Sequence, residues 1–368
     1  MPATVKDVCQ IMDAWAPPSL ACEWDRVGLQ IGQPSAPVSR ILTCLTVTDQ
    51  VVSRAEQWGA DMIVAHHPIL FSPLKALRTD DPHTRLCLRL VKQNTACFAA
   101  HTNLDVVPGG VNTLLADTLG LAEVTPLFPA AQARLVKLVT FVPGTHEVPV
   151  REALAGAGGG CIGDYSECSF STPGHGTFRP GEATNPFSGE KGLLNREAEQ
   201  RLEMVVPKAL LGGVLDALRE AHPYEEPAFD VIPLENTDPR YGLGARGVLE
   251  NSMRLVDFAR HVRQALNLKH VRMVGKPGTR VRSVAVCGGA GGGEIGNIPG
   301  DIDVYVTGDL KYHEADGARE RGLALIDAGH VGTERGIATH LARHLRKAIP
   351  GLTVKAIIEP ELFQAITG

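Results

Sequence analysis

Apolar positions near the start of the chain recur at helical spacing. Val5, Val8, Ile11, Met12 and Trp15 share one face behind Thr4, and Thr4 with Asp7 three residues on makes a capping box, so a helix is predicted there. The spacing then changes. RILTCLTV, from Arg40, is a continuous apolar run of the kind a buried strand shows, and DQVVSRAEQW returns to the helical period. MIVAHH is a strand with polar residues at its end, TRLCLRLVKQN is helical, and ACFAAH is a second strand ending the same way. Strands alternating with helices predict a mostly parallel sheet.

From about Leu135 the texture differs. LVKLVTFVP is followed by a helical stretch after His146, and then by a Gly-rich polar segment over 156–193 that leads into RLEMVVP. Helix LLGGVLDALREAH and strand AFDVIPL complete a small α+β unit. After Tyr241 the first texture resumes: strands RSVAVC, DVYVTG and LALID alternate with helices beginning near Tyr312 and His330, and TVKAII closes the pattern. The expectation is one α/β domain built from 1–133 and 236–368 and interrupted by an inserted domain at 134–235. A strand with a polar end recurs on both sides of the insert, as a weak duplication would leave it, although no repeat of solenoid period is present.

Composition narrows the function classes. A chain of 368 residues suits two domains, and 44% hydrophobic with 21% charged residues is globular. Its net charge of -5 comes from 36 basic and 41 acidic residues without a basic stripe, which argues against nucleic acid as the main partner. MPATVKDVCQIMDAW has no basic start before an apolar stretch, and no segment approaches the ~20 apolar residues of a membrane span, so a cytoplasmic protein with no membrane partner is expected. The 8 cysteines form no CxxC pair and read as reduced, mostly buried thiols.

Candidate chemistry sits where strands end, the place at which open α/β sheets bind ligands. His66 and His67 precede Pro68. Adjacent strand residues leave on opposite sides, but a turn at Pro68 would let both imidazoles face one cavity; alone, the pair would equally cap a strand. His101 and Asp105 follow the next strand, with Asp105 a hard anionic ligand and His101 a supporting or proton-moving group. His330 and Glu334 are one helical turn apart on one face, a spacing shared by helical metal sites and by ordinary surface pairs. Pooled, three imidazoles and two carboxylates exceed what one four-coordinate ion with an open position requires, so a two-metal centre bridged by a carboxylate fits better. In VTGDLKYHEA, His313 is a candidate acid or base and Tyr312 a candidate donor, unless both merely begin a helix. The run CGGAGGGEIGN contains a G-x-G-x-x-G frame, but it lacks a P-loop lysine and an acidic partner further on, so close packing or an anion nest is expected there rather than NAD.

With these clusters in view, the chain resembles the NIF3 family, also named GTP cyclohydrolase 1 type 2 homologs. The resemblance rests on WDRVGLQIG, AHHP, HTNLD, VAVCGGAGGG, VTGDLKYHEA and DAGHVGTERG in that order; Arg26 departs from the Asn usual after WD, at a position that is no ligand. It implies a NIF3-like layered α/β fold, metal ligands at His66, His67, Asp105, His330 and Glu334, with Glu334 bridging two ions, and a homohexamer built as a dimer of trimers. The insert, with HPYEEP from His222 and GHGTFRP from Gly174, resembles CutA or PII-like domains.

The leading expectation is therefore a metal-dependent hydrolase holding two divalent ions, zinc first and iron, manganese or nickel as alternatives, and acting on a nucleotide-like or phosphoester small molecule. GTP cyclohydrolase-type activity is implied by the family's name alone. A regulatory or metal-handling protein, its insert sensing a small-molecule effector or a partner, is the second reading.

Overall fold

Thr4 does begin the first helix: its hydroxyl accepts the Asp7 N–H, and the Asp7 carboxylate accepts the Thr4 N–H at 2.7 Å. The structure, a computed structural model, describes residues 2–360 and 362–363. It divides into two units. One comprises the chain through Pro129 and again from Arg240 onward; the other is Ala130–Pro239.

In the outer unit, α1 (Val5–Trp15) and the short strand β1 (Gly28–Ile31) lead into β2 (Arg40–Cys44), α2 (Asp49–Trp58), β3 (Met62–Ala65), α3 (Pro82–Lys92) and β4 (Ala96–Ala99). Thr48 caps α2 through the Val51 N–H, and Gly59, at φ 65°, ends it in the left-handed conformation that glycine adopts without steric cost. α4 (Thr102–Asp105) and α5 (Val111–Thr118) precede β5 (Ala122–Pro129).

The chain then forms the second unit from β6 (Arg134–Pro143), α6 (Glu147–Gly156), β7 (Ser169–Phe178), β8 (Asn195–Pro207), α7 (Leu211–Ala221) and β9 (Phe229–Thr237). The four strands form an antiparallel sheet of order β7-β8-β6-β9, the split β-α-β arrangement. Val136, Leu138, Leu202, Met204 and Val206 bury one face of this sheet with Val150, Leu154, Val214 and Leu218 of the two helices.

Back in the outer unit, β10 (Gly242–Arg254), α8 (Leu255–Ala265), β11 (Arg272–Val274), β12 (Arg280–Val286), β13 (Val304–Thr307), α9 (Tyr312–Glu320), β14 (Ala324–Asp327), α10 (His330–Glu334), α11 (Gly336–Ala348) and β15 (Thr353–Ala356) follow. Two sheets result, not one. The first, β1-β4-β3-β2-β15, is parallel except for β1; the second, β11-β14-β13-β12-β10-β5, is parallel only across β12, β13 and β14. Continuous apolar runs such as MIVA and VYVT are buried along their whole length because helices cover both faces of these parallel strands. Phe258 and Val262 of α8 pack with Leu115 and Leu119 of α5 on one face of the second sheet, while Tyr305, Leu325 and Ala318 fill the other.

All eight cysteines are free; Cys44, Cys87, Cys97 and Cys287 are buried and the others half-buried. Among the described residues no helix is long and apolar enough to cross a membrane.

Candidate metal centre

Parallel strands from both sheets of the outer unit end at one place. The β2–β3 pairing continues past its last strand residue, with the His66 N–H donating to the Cys44 carbonyl and the His67 N–H to the Leu45 carbonyl. Both histidines are thereby held at the strand end, their rings 5.1 Å apart. His101 follows β4 and Asp105 ends the single turn α4. From the second sheet, β14 gives way to Gly329, at φ 72°, and then to α10, which carries His330 and Glu334. A side chain at Gly308 would meet the backbone of Gly329 and His330, so glycine there lets the end of β13 pass beside the start of α10.

The imidazoles are oriented by a common device. His66 Nδ1 donates to the Ala100 carbonyl at 2.8 Å. His101 Nδ1 and His330 Nδ1 lie 2.9 and 2.8 Å from the carboxylates of Asp25 and Asp309, and His67 Nδ1 is 2.7 Å from the Thr46 hydroxyl. Each ring is thus fixed through one nitrogen, which leaves Nε2 to face the shared space; metal-binding histidines are positioned in this way. Asp309 reaches His330 from a left-handed backbone at φ 55°, uncommon for a residue with a side chain.

Glu334, almost fully buried, lies between these rings. Its Oε2 is 3.0 Å from His330 Nε2 and 3.2 Å from His67 Nε2, while Oε1 is 3.9 Å from His66 Nε2, too far for a hydrogen bond. His66 Nε2 in turn lies 3.6 Å from Asp105 Oδ1. Both of these atoms are buried without a hydrogen-bond partner, a costly state for polar groups. Two triplets, His66 with His67 and His101, and His67 with His330 and Glu334, have ligand atoms within 4.8 Å of one another and can hold a metal ion. An orphaned imidazole nitrogen facing an orphaned carboxylate oxygen, among further imidazoles, is a donor set that suits a divalent cation.

The electrostatics of the cluster follow from these distances. Burial pulls the His66 pKa down, but Asp105 and Glu334 outweigh it and hold His66 up at about 9. The hydrogen bond that His330 donates to Glu334, opposed by burial and reinforced by Asp309, raises His330 to about 9. Burial dominates at His67 and lowers its pKa. Burial also raises Asp105 to about 6 against the pull of His66, whereas at Glu334 it is overcome by the hydrogen bonds from the histidines, which hold the carboxyl well below its ordinary range. Asp25 is likewise held low, since bonds from His101 and Thr102 exceed the effect of burial.

The structure brings His66, His67, His101, Asp105, His330 and Glu334 together. Tyr312 and His313 stand at the start of α9, both exposed, with their rings edge-on at 5.3 Å, and belong to neither triplet. The glycine run has a packing role: a side chain at Gly289 would strike the Glu334 carboxylate, and one at Gly291 would strike Tyr305 and Thr307. The N–H groups of Gly288, Gly289 and Gly291 donate to Asn112, Thr333 and Thr307, so the loop does not offer them to an anion. Asp309 stands in the strand-end run VTGDLKYHEA together with Lys311, Tyr312 and His313, but the sequence gives it no partner; Asp25 and Thr46 are not singled out by the sequence. Neither Asp25 nor Thr46 carries a spacing that ties it to a histidine.

Residues 3–361 match the family described as Duf34/NIF3, NGG1p interacting factor 3. A protein of Halalkalibacterium halodurans named GTP cyclohydrolase 1 type 2 homolog is 44% identical over 329 residues, covering 89% of this chain and 88% of its own. A Bacillus subtilis protein of the same name is 43% identical over 326 residues, covering 88% and 87%. The crystal structure of a Bacillus cereus protein related to NIF3 superposes with a TM-score of 0.88 at 40% identity over 100% of both chains.

Proposed function

This chain belongs to the Duf34/NIF3 family, and on that premise we propose that its histidine cluster holds two divalent metal ions and serves as the centre of a metal-dependent hydrolase. The observation that carries this reading is the division of donors by Glu334, one oxygen turned toward His66 and the other toward His67 and His330. His66, Asp105 and Glu334 would hold one ion; His67, His330 and Glu334 would hold the other. Such a pair, when bound, would supply Lewis-acid polarisation of a phosphoryl or ring-carbon centre and a lowered pKa for water. The mixed imidazole and carboxylate shell suits zinc, with iron, manganese or nickel able to replace it.

The protein's own groups carry the rest. Asp25 fixes His101 with Nδ1 outward from the cluster, so Nε2 is the atom that accepts a proton from an attacking group or returns one to a leaving group. Tyr312 and His313, exposed on α9, would act on a ligand only where it extends to that helix. The substrate class supported is a nucleotide-like or phosphoester small molecule; the relatives' shared name adds ring opening of GTP as a reaction to try. The test is a turnover screen of nucleoside phosphates and phosphoesters with metal-loaded protein. Activity that disappears in Glu334→Ala and falls about a hundredfold in His101→Gln, with metal retained in the latter, supports the reading; no turnover with any loaded metal contradicts it.

The regulatory alternative draws on the second unit. A cavity of about 570 Å³ there, lined by Phe141, Phe178, Phe187, Tyr224 and Glu199, is of a size that takes a small effector.

A further inference from the structure

Single exposed apolar side chains are ordinary, but two large ones stand together beside the histidine cluster. Trp24 is 56% exposed and Phe71 49%. Their ring centroids are 5.8 Å apart with planes inclined by 53°, and the indole also meets His101 edge-on at 6.1 Å. His101 shares its triplet with His66 and His67, so the indole borders the cluster, with Phe71 beside it.

Neither ring is loosely placed. Asp25, next to Trp24, has a fully buried side chain that binds His101 Nδ1 at 2.9 Å, the Thr102 N–H at 3.0 Å and the Thr102 hydroxyl at 2.6 Å. The carboxylate that orients a cluster histidine therefore also fixes the turn bearing the indole. Phe71 follows Leu70, whose N–H donates to Gln30 Oε1 at 3.0 Å and whose carbonyl accepts from Gln30 Nε2 at 3.4 Å. The same Nε2 donates to the Arg26 carbonyl at 2.9 Å, so the two ring-bearing segments are tied to each other. Two aromatic surfaces fixed at the rim of a polar site, with apolar area left in water, match a ligand that has a flat apolar part and a polar end.

We propose that Trp24 and Phe71 form a preorganised aromatic platform on which a planar heteroaromatic ring of the nucleobase kind stacks against one ring and meets the inclined second ring along its edge, while the ligand's phosphate end reaches the cluster. The proposal rests on the reading of the cluster as a metal centre for nucleotide-like substrates. Because every base presents a π face, the platform selects for a ring and not for one particular base.

The test is calorimetric titration of full-length, metal-loaded protein with adenosine 5′-monophosphate and with ribose 5-phosphate. The nucleotide is expected to bind about tenfold tighter, since stacking of one base on an aromatic side chain is commonly of that size. Trp24→Ala and Phe71→Ala should each remove most of this preference with metal content unchanged, and Trp24→Phe should keep most of it. Equal affinity for the two probes, or a preference that survives in both alanine variants, overturns the proposal. So does a change of oligomeric state in both variants without loss of nucleotide preference, which would make the rings a subunit contact. Base preference without turnover of any phosphoester contradicts the hydrolase reading alone; turnover without base preference contradicts the platform alone.

Discussion

Glu334 reads from the sequence as one member of a His-Glu pair on a helix, and in the fold it is buried between three imidazoles. The histidines and carboxylates of the cluster were legible because each follows an apolar strand run; their tethers were not, because Asp25 and Thr46 meet His101 and His67 only after the chain has folded. Removing a tether should leave a ligand present but poorly aimed. Asp309→Asn is expected to weaken metal binding about tenfold to a hundredfold without unfolding the protein, as competition with a chromophoric chelator would measure. The proton balance gives a second prediction. With His66 and His330 held at about 9 in the metal-free chain, both are protonated at neutral pH, and an incoming cation must displace those protons. Metal affinity should rise with pH toward 9, with proton release visible as a buffer-dependent heat of binding. For folding the sign is opposite. A histidine whose folded pKa lies above its unfolded value of 6.5 stabilises the metal-free fold fully below 6.5 and loses that contribution as pH climbs through about 9. The melting temperature of metal-free protein should therefore decline across that window, and metal-loaded protein should not follow it.

Elements with strong periodicity were the readable ones. DQVVSRAEQW and MIVA have the helix and strand that their patterns require, and Thr4 caps where expected. β1, four half-buried residues at a sheet edge, carries no such pattern, and β7 is a largely exposed strand whose sequence SFSTPGHGTF reads as a loop. The second sheet is mixed because β10, β5 and β11 join it antiparallel, and pairing partners that distant have no local signature. Two changes separate site from scaffold at this scale. Gly289→Ala should displace the Glu334 carboxylate and cut metal content while the far-ultraviolet circular dichroism stays native. Phe258→Ala, in a fully buried helix position, should instead cost about 3 to 5 kcal/mol in urea unfolding, a loss spread over the whole outer unit.

For the whole molecule, the texture of the sequence changes after β5 and returns at β10, and the structure divides at Ala130 and Pro239, bounds that depend on which sheet each flanking strand joins. β5 pairs with β10 although the chain runs on within a few residues to β6, which pairs with β8 and β9. The residues of the cluster lie 268 positions apart in the chain, from His66 to Glu334, and all belong to the outer unit. A single fold built from the two ends of the chain thus assembles the site. Whether the assembled donors hold a pair of metal ions is read by elemental analysis of metal per chain on protein purified without chelator. About two ions per chain are expected in the native protein, as a two-metal centre would hold, with a sharp fall in both Glu334→Ala and His67→Ala. Low metal content that is the same in the native protein and both variants would contradict it.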